Sequence, residues 1–192
     1  PSEKVFSGHA LKLDAGPTIR VKFTSGDMLY FLPNGFFWRL AWQNNLDQKQ
    51  RLRLSASLAM GDMVGFGFRD DPSPWLPFRT QELELSLRTT DVQAGLHYDL
   101  FKWGGFSIVT EAHVSLSYLR GLGIPEPISN GSEVTSLNEV YPTAGFSLAF
   151  RLDPRPSPLA YELSIYSLDF GLDQARFTRL SFGLVYQFQK KK

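Results

Sequence analysis

The residues whose types and spacing could do chemistry lie close together in the second half of the chain. Glu111, His113 and Ser115 occupy every second position, and alternate positions share one face of a β-strand. A histidine and a serine on one face, with a carboxylate beside them, could form a base-activated nucleophile. His97 and Asp99 lie on the preceding predicted strand, and histidines together with carboxylates would also suit a zinc ion.

The elements that must position these residues are β-strands, because apolar and polar residues alternate along nearly the whole chain. No segment has the 3.6-residue period of an amphipathic helix. We therefore predict an all-β fold, an antiparallel up-and-down transmembrane β-barrel that forms one domain over residues 1–192. Ten strands are expected with residues 5–13 included, and eight are the second count, with the N-terminus left outside the wall. The predicted strands are residues 5–13, 18–24, 36–43, 51–68, 81–88, 92–100, 106–118, 140–152, 161–166 and 180–188.

The last predicted strand has a very regular pattern. One face carries Leu180, Phe182, Leu184, Tyr186 and Phe188, and the other face is mostly small or polar. This strand resembles the C-terminal strand of Gram-negative outer-membrane β-barrels, in which alternate apolar positions end in phenylalanine and serve as an assembly signal. The resemblance implies localisation in the bacterial outer membrane, with membrane lipid and the barrel-assembly machinery as partners. It also implies that Phe188 lies at the periplasmic rim.

A soluble lipocalin-like barrel that binds a small apolar ligand is the alternative fold, because its strands alternate in the same way. The polar faces favour the membrane barrel, since they are rich in small residues and poor in lysine. Aromatic residues also cluster near predicted strand ends, as in the girdles of membrane barrels. We assign Phe36 and Trp103 to the periplasmic girdle, and Trp42 and Tyr118 to the opposite one.

The predicted sidedness of the connections follows from placing Phe188 at the periplasmic rim. Residues 25–35, 69–78, 102–105 and 153–158 are then periplasmic, whereas 44–50, 119–138 and 171–176 are external. The connection 69–78 is long for the periplasmic side of such a barrel. Loop 119–138 is the longest, and we expect it to contact other envelope proteins if any bind.

The composition excludes several classes of protein. Lys and Arg number 20 and Asp and Glu 19, so the basic excess of a typical nucleic-acid binder is missing. The chain has no cysteine, which excludes a disulfide scaffold, a CxxC redox site and a thiolate metal site. No run approaches the ~18 apolar residues of a transmembrane helix. The mean hydropathy of -0.17 fits both a membrane barrel and a soluble β-protein.

The charged residues of the polar faces are predicted to fill the lumen as a network of salt bridges. Buried charges need partners, and arginine binds carboxylates through two parallel hydrogen bonds. We expect Arg151 and Glu162, which flank one turn, to form such a pair. The predicted network contains Arg20, Arg39, Arg51, Arg53, Glu82, Glu84, Arg88, His97, Asp99, Glu111, His113, Arg151 and Glu162.

A largely plugged lumen of this kind predicts a structural or accessory subunit, or a scaffold for surface loops, without a cofactor. A narrow channel for small anionic solutes is the first alternative. The second alternative rests on His113-Val114-Ser115, which is similar to the His-x-Ser of outer-membrane lipid A deacylases, enzymes that also use a glutamate. That resemblance implies a lipid hydrolase whose site faces lipid. Because His113 and Ser115 are predicted to face the lumen, we expect a hydrogen-bonding role for them, no enzymatic activity and no metal.

Overall fold

The architecture is an all-β barrel. The computed structural model describes residues 6–25, 28–47, 51–69, 81–125, 135–154, 157–171 and 176–189. Its strands are β1 (Phe6–Ser25), β2 (Met28–Asn45), β3 (Leu52–Arg69), β4 (Gln81–Trp103), β5 (Phe106–Pro125), β6 (Thr135–Leu152), β7 (Leu159–Gly171) and β8 (Arg176–Gln189).

Every strand pairs antiparallel with the next strand along the chain, and β1 also pairs with β8, so the sheet closes into a barrel. The predicted fold class, an antiparallel up-and-down β-barrel, is confirmed. No helix within the described ranges is long and apolar enough to cross a membrane. We call the end of the barrel that carries Phe6 and Gln189 the terminal end, and the opposite end the distal end.

The described part of the chain forms eight strands, which matches the second predicted count in number but with the N-terminal segment inside the wall as β1. The number falls from ten because two predicted turns are strand in the structure. Residues 14–17 lie within β1 and residues 89–91 lie within β4. Both turns are predicted from an aspartate among small or polar residues, which is a common turn signal. In the structure Asp14 and Asp91 point into the barrel and pair with cations, so the backbone stays extended.

Merging the predicted strands 81–88 and 92–100 into β4 reverses the direction of β2 relative to the last strand, and this corrects the sidedness of its connections. The connection at 44–50 lies at the terminal end, on the same side as 102–105 and 153–158. The predicted connection 25–35 is instead mostly strand, since β2 begins at Met28. The proline in this segment is accommodated by an irregular strand register between Phe31 and Asn34. The turn into β2 is therefore at the distal end.

The long connections also lie at the distal end. The predicted loop 69–78 joins β3 to β4 at their distal ends, because β4 runs unbroken from Gln81. The barrel therefore does not need a long loop at the terminal end, which would be unusual for this class. The predicted loop 119–138 is shorter than expected, since β5 extends to Pro125 and β6 begins at Thr135. Gly121 interrupts the alternating pattern, so the sequence does not show that the strand continues. The structure requires a glycine there, because a Cβ would overlap both the Leu87 side chain and the Ser86 carbonyl oxygen.

An apolar belt surrounds the outer wall from the terminal end to about the middle of the strands. On β5 the outward residues Val114, Leu116 and Tyr118 are exposed and apolar or aromatic, and the run is interrupted by the exposed Arg120. The same change occurs on β4, where exposed Val92 and Leu96 give way to charged residues. An exposed apolar surface of this extent is what a barrel presents to lipid.

The interior changes from polar to apolar toward the distal end. Behind the belt the inward side chains are mainly polar or charged. Beyond the belt the inside is an apolar core, while outward positions such as Glu84, Ser86 and Arg88 are exposed and polar. This second half has the pattern of a barrel surrounded by water. The distal core contains Val21, Leu32, Met63, Leu85, Leu87, Leu119, Leu137, Tyr141 and Phe177.

Candidate functional site

The candidate site is the charge network inside the lumen, and Lys12 and Arg39 are its central cations. Lys12 Nζ lies 2.6 Å from Glu162 Oε1 and 3.0 Å from Asp14 Oδ2. Arg39 donates through Nε and Nη2 to Asp14, at 3.2 Å to Oδ1 and 3.0 Å to Oδ2, and its Nη1 is 3.6 Å from Glu111 Oε2. Residues from the four strands β1, β2, β5 and β7 are thereby joined across the lumen.

The two lumen histidines each face a carboxylate on another strand. His97 Nε2 lies 2.9 Å from Ser55 Oγ and 3.4 Å from Glu111 Oε1. His113 Nε2 is hydrogen-bonded to Asp169 Oδ1. Both rings are buried, so the histidines act as polar spacers: His97 connects β4 to its neighbours β3 and β5, and His113 connects β5 to β7.

Two further arginines hold carboxylates near the terminal end. Arg53 donates to both oxygens of Asp99, with Nη2 2.5 Å from Oδ1 and Nη1 3.3 Å from Oδ2. Arg151 Nε donates to Asp153 Oδ1 at 3.1 Å. The predicted pair of Arg151 with Glu162 is therefore wrong. The two residues are cross-strand neighbours, but the carboxylate of Glu162 bonds to Lys12.

Arg179 marks the boundary between the charge network and the distal core. Its Nη2 bonds to Asp91 Oδ2, and its Nη1 lies 3.6 Å from Asp169 Oδ2. The guanidinium also lies 5.2 Å from the ring centroid of Phe37 and 5.3 Å from that of Phe177. One side chain thus satisfies two carboxylates and contacts two aromatic faces, which suits a position between polar and apolar layers.

Most predicted lumen residues with described side chains are inside the barrel. These are Arg39, Arg53, His97, Asp99, Glu111, His113, Arg151 and Glu162. Glu84 and Arg88 are instead exposed on the outer wall, and Arg51 is exposed in the turn before β3. Because β4 has no turn at 89–91, Asp91 and Leu87 share its inward face, and Glu84 and Arg88 must point outward. The side chains of Arg20 and Glu82 lie outside the described set.

Five members of the network are absent from the sequence prediction. Lys12 follows the alternation of its strand and could have been found by extending it. The other four lie in segments whose Asp and Gly residues indicate turns or connections, so their inward direction is not visible in the sequence. The missed residues are Lys12, Asp14, Asp91, Asp169 and Arg179.

Glycines in the lumen make room for the charged side chains. A Cβ on Gly95 would lie 2.6 Å from Glu111 Oε1. A Cβ on Gly145 would lie 2.5 Å from the Leu168 carbonyl oxygen and 2.6 Å from His113 Nε2. Small residues opposite large ones are how the interior of a narrow barrel is filled.

The geometry of the His-x-Ser segment does not assemble a nucleophile. Ser115 Oγ lies 2.5 Å from Thr143 Oγ1, while His113 bonds to Asp169. No group of three or more His, Asp or Glu residues that could hold a metal ion occurs among the described residues. The arrangement of His97, Asp99, Glu111 and His113 pairs each group with a different partner instead.

The lumen contains a small cavity next to the charge network. A cavity of about 10 Å³ lies beside Arg39 and Arg179, lined also by Phe37, Gln93 and Asp169. A cavity of this size holds about one water molecule. Several buried polar atoms, among them both side-chain polar atoms of Gln43, have no hydrogen-bond partner among the described residues, and buried polar atoms of this kind commonly bind ordered water.

The predicted girdle residues lie on the outer wall but group differently. Trp42 is at the terminal end, where its ring centroid is 5.4 Å from that of Phe188. Trp103 is at the same end, next to the β4–β5 turn. Phe36 and Tyr118 are exposed at the distal border of the belt. Phe36 and Trp42 exchange their predicted sides because the direction of β2 is reversed.

The predicted assembly-signal strand is β8, and its apolar face is directed outward. Phe182, Leu184 and Tyr186 are exposed there, with Leu180 and Phe188 partly covered. This placement fits contact with lipid. Its role in assembly stays a prediction.

Comparisons with known proteins identify solved structures of the same fold. No family model and no curated protein matches the chain. Neisserial surface protein A has 15% identity and a TM-score of 0.59 over 95% of this chain and 98% of its own. Ail, the attachment invasion locus protein of Yersinia pestis, has 12% identity and a TM-score of 0.56 over 94% and 99%.

A third structure of this fold is a major outer membrane protein from Thermus thermophilus, at 10% identity, with a TM-score of 0.60 over 94% of this chain and 99% of that one. Identities this low establish similarity of fold. The closed eight-stranded barrel, its exposed apolar belt and these similarities lead to one conclusion: the chain is a transmembrane β-barrel of the bacterial outer-membrane type.

Proposed function

We propose that the protein is a small integral outer-membrane barrel with a closed, charge-paired lumen, and that its distal end is a rigid scaffold for surface loops. The observation that carries this proposal is the change of polarity along the barrel. A purely membrane-embedded barrel would keep an apolar outer wall to both ends of its strands. Beyond Tyr118 the outward side chains of β4 and β6 are polar, while Val64 on β3 and Leu122 on β5 stay apolar and exposed, and the inside becomes an apolar core.

A polar outer wall around an apolar core is stable in water, so the distal part of the barrel extends beyond the lipid in this proposal. The strands of β4 and β5 are 23 and 20 residues long, whereas a strand needs only about 10 residues to cross a bilayer. The excess length raises the distal ends of these strands above the membrane on a packed base.

The orientation follows from the connections. The turn at 104–105 and the connection at 153–158 are short and lie at the terminal end, and the two longest connections lie at the distal end. Barrels of this class have short periplasmic turns and longer extracellular loops. We therefore place the distal end outside the cell and the outward face of β8 in lipid, where the assembly machinery would meet it.

The lumen supports a closed barrel better than a channel for anions. Arg39, Arg53 and Arg179 each pair with a carboxylate, so the cations that would attract an anion are already neutralised. Ser115 and His113 are buried in this network, and the proposal therefore includes no catalytic role.

The orientation can be tested by cysteine labelling, because the natural chain has no cysteine that would interfere. Three single variants sample three environments: Ser86→Cys on the distal outer wall, Val114→Cys in the belt and Arg51→Cys at the terminal end. With a membrane-impermeant maleimide on intact cells, we expect labelling of Ser86→Cys only. Arg51→Cys should react once the outer membrane is permeabilised, and Val114→Cys only after solubilisation in denaturant.

Each variant serves as a control for the others, since all three carry one thiol on an outward or exposed position. Labelling of Arg51→Cys but not Ser86→Cys in intact cells would reverse the orientation and remove the scaffold proposal. Equal labelling of Ser86→Cys and Val114→Cys would contradict the lipid border between them.

A further inference from the structure

A row of charged residues crosses the outer wall immediately beyond the apolar belt. Asp62, Arg88, Arg120 and Asn138 are successive cross-strand neighbours on β3, β4, β5 and β6. The next row toward the terminal end is Met60, Thr90, Tyr118 and Val140, which belongs to the belt and its border. In a membrane, the charged row is therefore at the level of the lipid headgroups.

The charges of this row are not balanced. Arg88 and Arg120 lie directly opposite each other, and like charges in that arrangement repel. Asp62 offsets one of them, since its Oδ1 lies 2.9 Å from Arg88 Nε. Among the described side chains, Arg120 has no ion-pair partner and is exposed. The next outward carboxylate on β4, Glu84, is four residues farther along, about 13 Å away.

A groove adjoins the unpaired arginine. Its volume is about 400 Å³, and Tyr118, Arg120, Leu122 and Asn138 contribute to its lining. Below it, toward the terminal end, Leu116 and Val114 continue the exposed apolar wall. The groove thus offers a cation and an amide at one level, and apolar surface directly beneath, which matches an amphiphile with an anionic headgroup.

The geometry points to a binding site for a phosphorylated lipid of the outer leaflet, with the phosphate at Arg120 and Arg88 and an acyl chain along the wall of β5. A guanidinium donates two parallel hydrogen bonds to a phosphate, and a phosphate between the two arginines would remove their repulsion. Asn138 can donate a further bond to the headgroup. This inference rests on the proposed orientation, because only an extracellular distal end meets the outer leaflet.

Binding can be measured on the full-length protein in dodecyl maltoside micelles by native mass spectrometry. The probes are diphosphoryl lipid A and the same lipid without its phosphates. We expect the wild-type protein to bind the phosphorylated form more tightly. Arg120→Gln should weaken that binding by about tenfold or more, as expected for loss of a charge-assisted hydrogen bond, and should leave binding of the dephosphorylated lipid unchanged. Arg120→Lys should restore part of the affinity.

The matched control is Arg51→Gln, which removes an exposed arginine at the terminal end and should not alter binding. Equal weakening by the two glutamine variants, or equal affinity for the two lipids, would overturn the site. The last experiment adds inorganic phosphate as a competitor. If phosphate displaces the lipid and its binding depends on Arg120 in the same way, the site binds free anions and the lipid assignment is wrong. Because micelles have no sidedness, these outcomes are independent of the cysteine labelling, which tests the orientation alone.

Discussion

At the scale of single residues, burial decides what an ion pair contributes to this protein. Two cross-strand pairs have the same chemistry. Arg53 and Asp99 are paired inside the lumen, where their side chains are 6% and 1% exposed. Arg88 and Asp62 are paired on the outer wall, where both side chains are 74% exposed. Removing one partner of a buried pair leaves the other charge buried without that partner, whereas an exposed charge returns to water.

We predict that Asp99→Asn lowers the free energy of unfolding by about 3–5 kcal/mol. Asp62→Asn is the matched control and should cost no more than ~1 kcal/mol. Reversible urea unfolding in lipid vesicles measures both values. The double variant Arg53→Met/Asp99→Leu should recover most of the loss, because it removes both buried charges. Equal costs for the two single substitutions would show that burial does not control these pairs.

At the scale of elements, β4 shows how one strand serves two environments without changing its alternation. Odd-numbered residues from Leu85 to Asp99 face inward throughout. The inward side chains are apolar at Leu85 and Leu87 and charged at Asp91 and Asp99, so the character of the lumen changes while the backbone geometry does not. What differs is the surroundings of the outer face, lipid on one part and water on the other.

A substitution pair tests this inward direction of the distal half of β4. Leu87 is fully buried in the distal core, and Ser86 next to it is exposed on the outer wall. Leu87→Ala should cost about 2–5 kcal/mol of unfolding free energy because it leaves a cavity. Ser86→Ala should change it by less than about 0.5 kcal/mol. The same urea titration gives both numbers, and a tolerated Leu87→Ala would place that residue in lipid instead.

Alternation was sufficient to predict most strands and eight of the lumen residues, because period-two patterning directly reflects which face is buried. It failed at Asp14 and Asp91, since an aspartate that pairs across a lumen has the same sequence signature as one that ends a strand. It also failed at Arg88, because a sequence cannot show which of two surroundings an apolar face meets. Pairing across the barrel, which joins residues far apart in the chain, carries that information.

At the scale of the whole molecule, the described interior side chains pack in two ways. Salt bridges and lumen glycines occupy the half behind the belt, and an apolar core occupies the distal half. An ion crossing the barrel would have to separate pairs such as Arg39 and Asp14 and then enter an apolar layer. Both steps oppose conduction.

We therefore predict that the wild-type protein in planar bilayers gives no steady current at either polarity. The variant Arg39→Ala/Glu111→Ala removes two adjacent side chains from the middle of the lumen but keeps the distal core, so it should also remain closed. Leu87→Ala/Leu119→Ala in addition opens the apolar layer, and small currents should appear only in that combination. Stable open steps in the wild-type protein would support the alternative of a narrow channel.

The pairing of Phe6 with Gln189 gives the barrel a property that concerns the order of its strands along the chain. Because the first and last strands pair with each other as the other neighbouring strands do, the closed wall has no edge at which the chain must begin or end. A circular permutant that joins those ends and opens the two-residue turn at Gly104 and Gly105 would keep every strand neighbour. Such a permutant would move β8 to an earlier place in the order of strands, and it would separate what β8 contributes as a wall strand from what its place after β7 contributes.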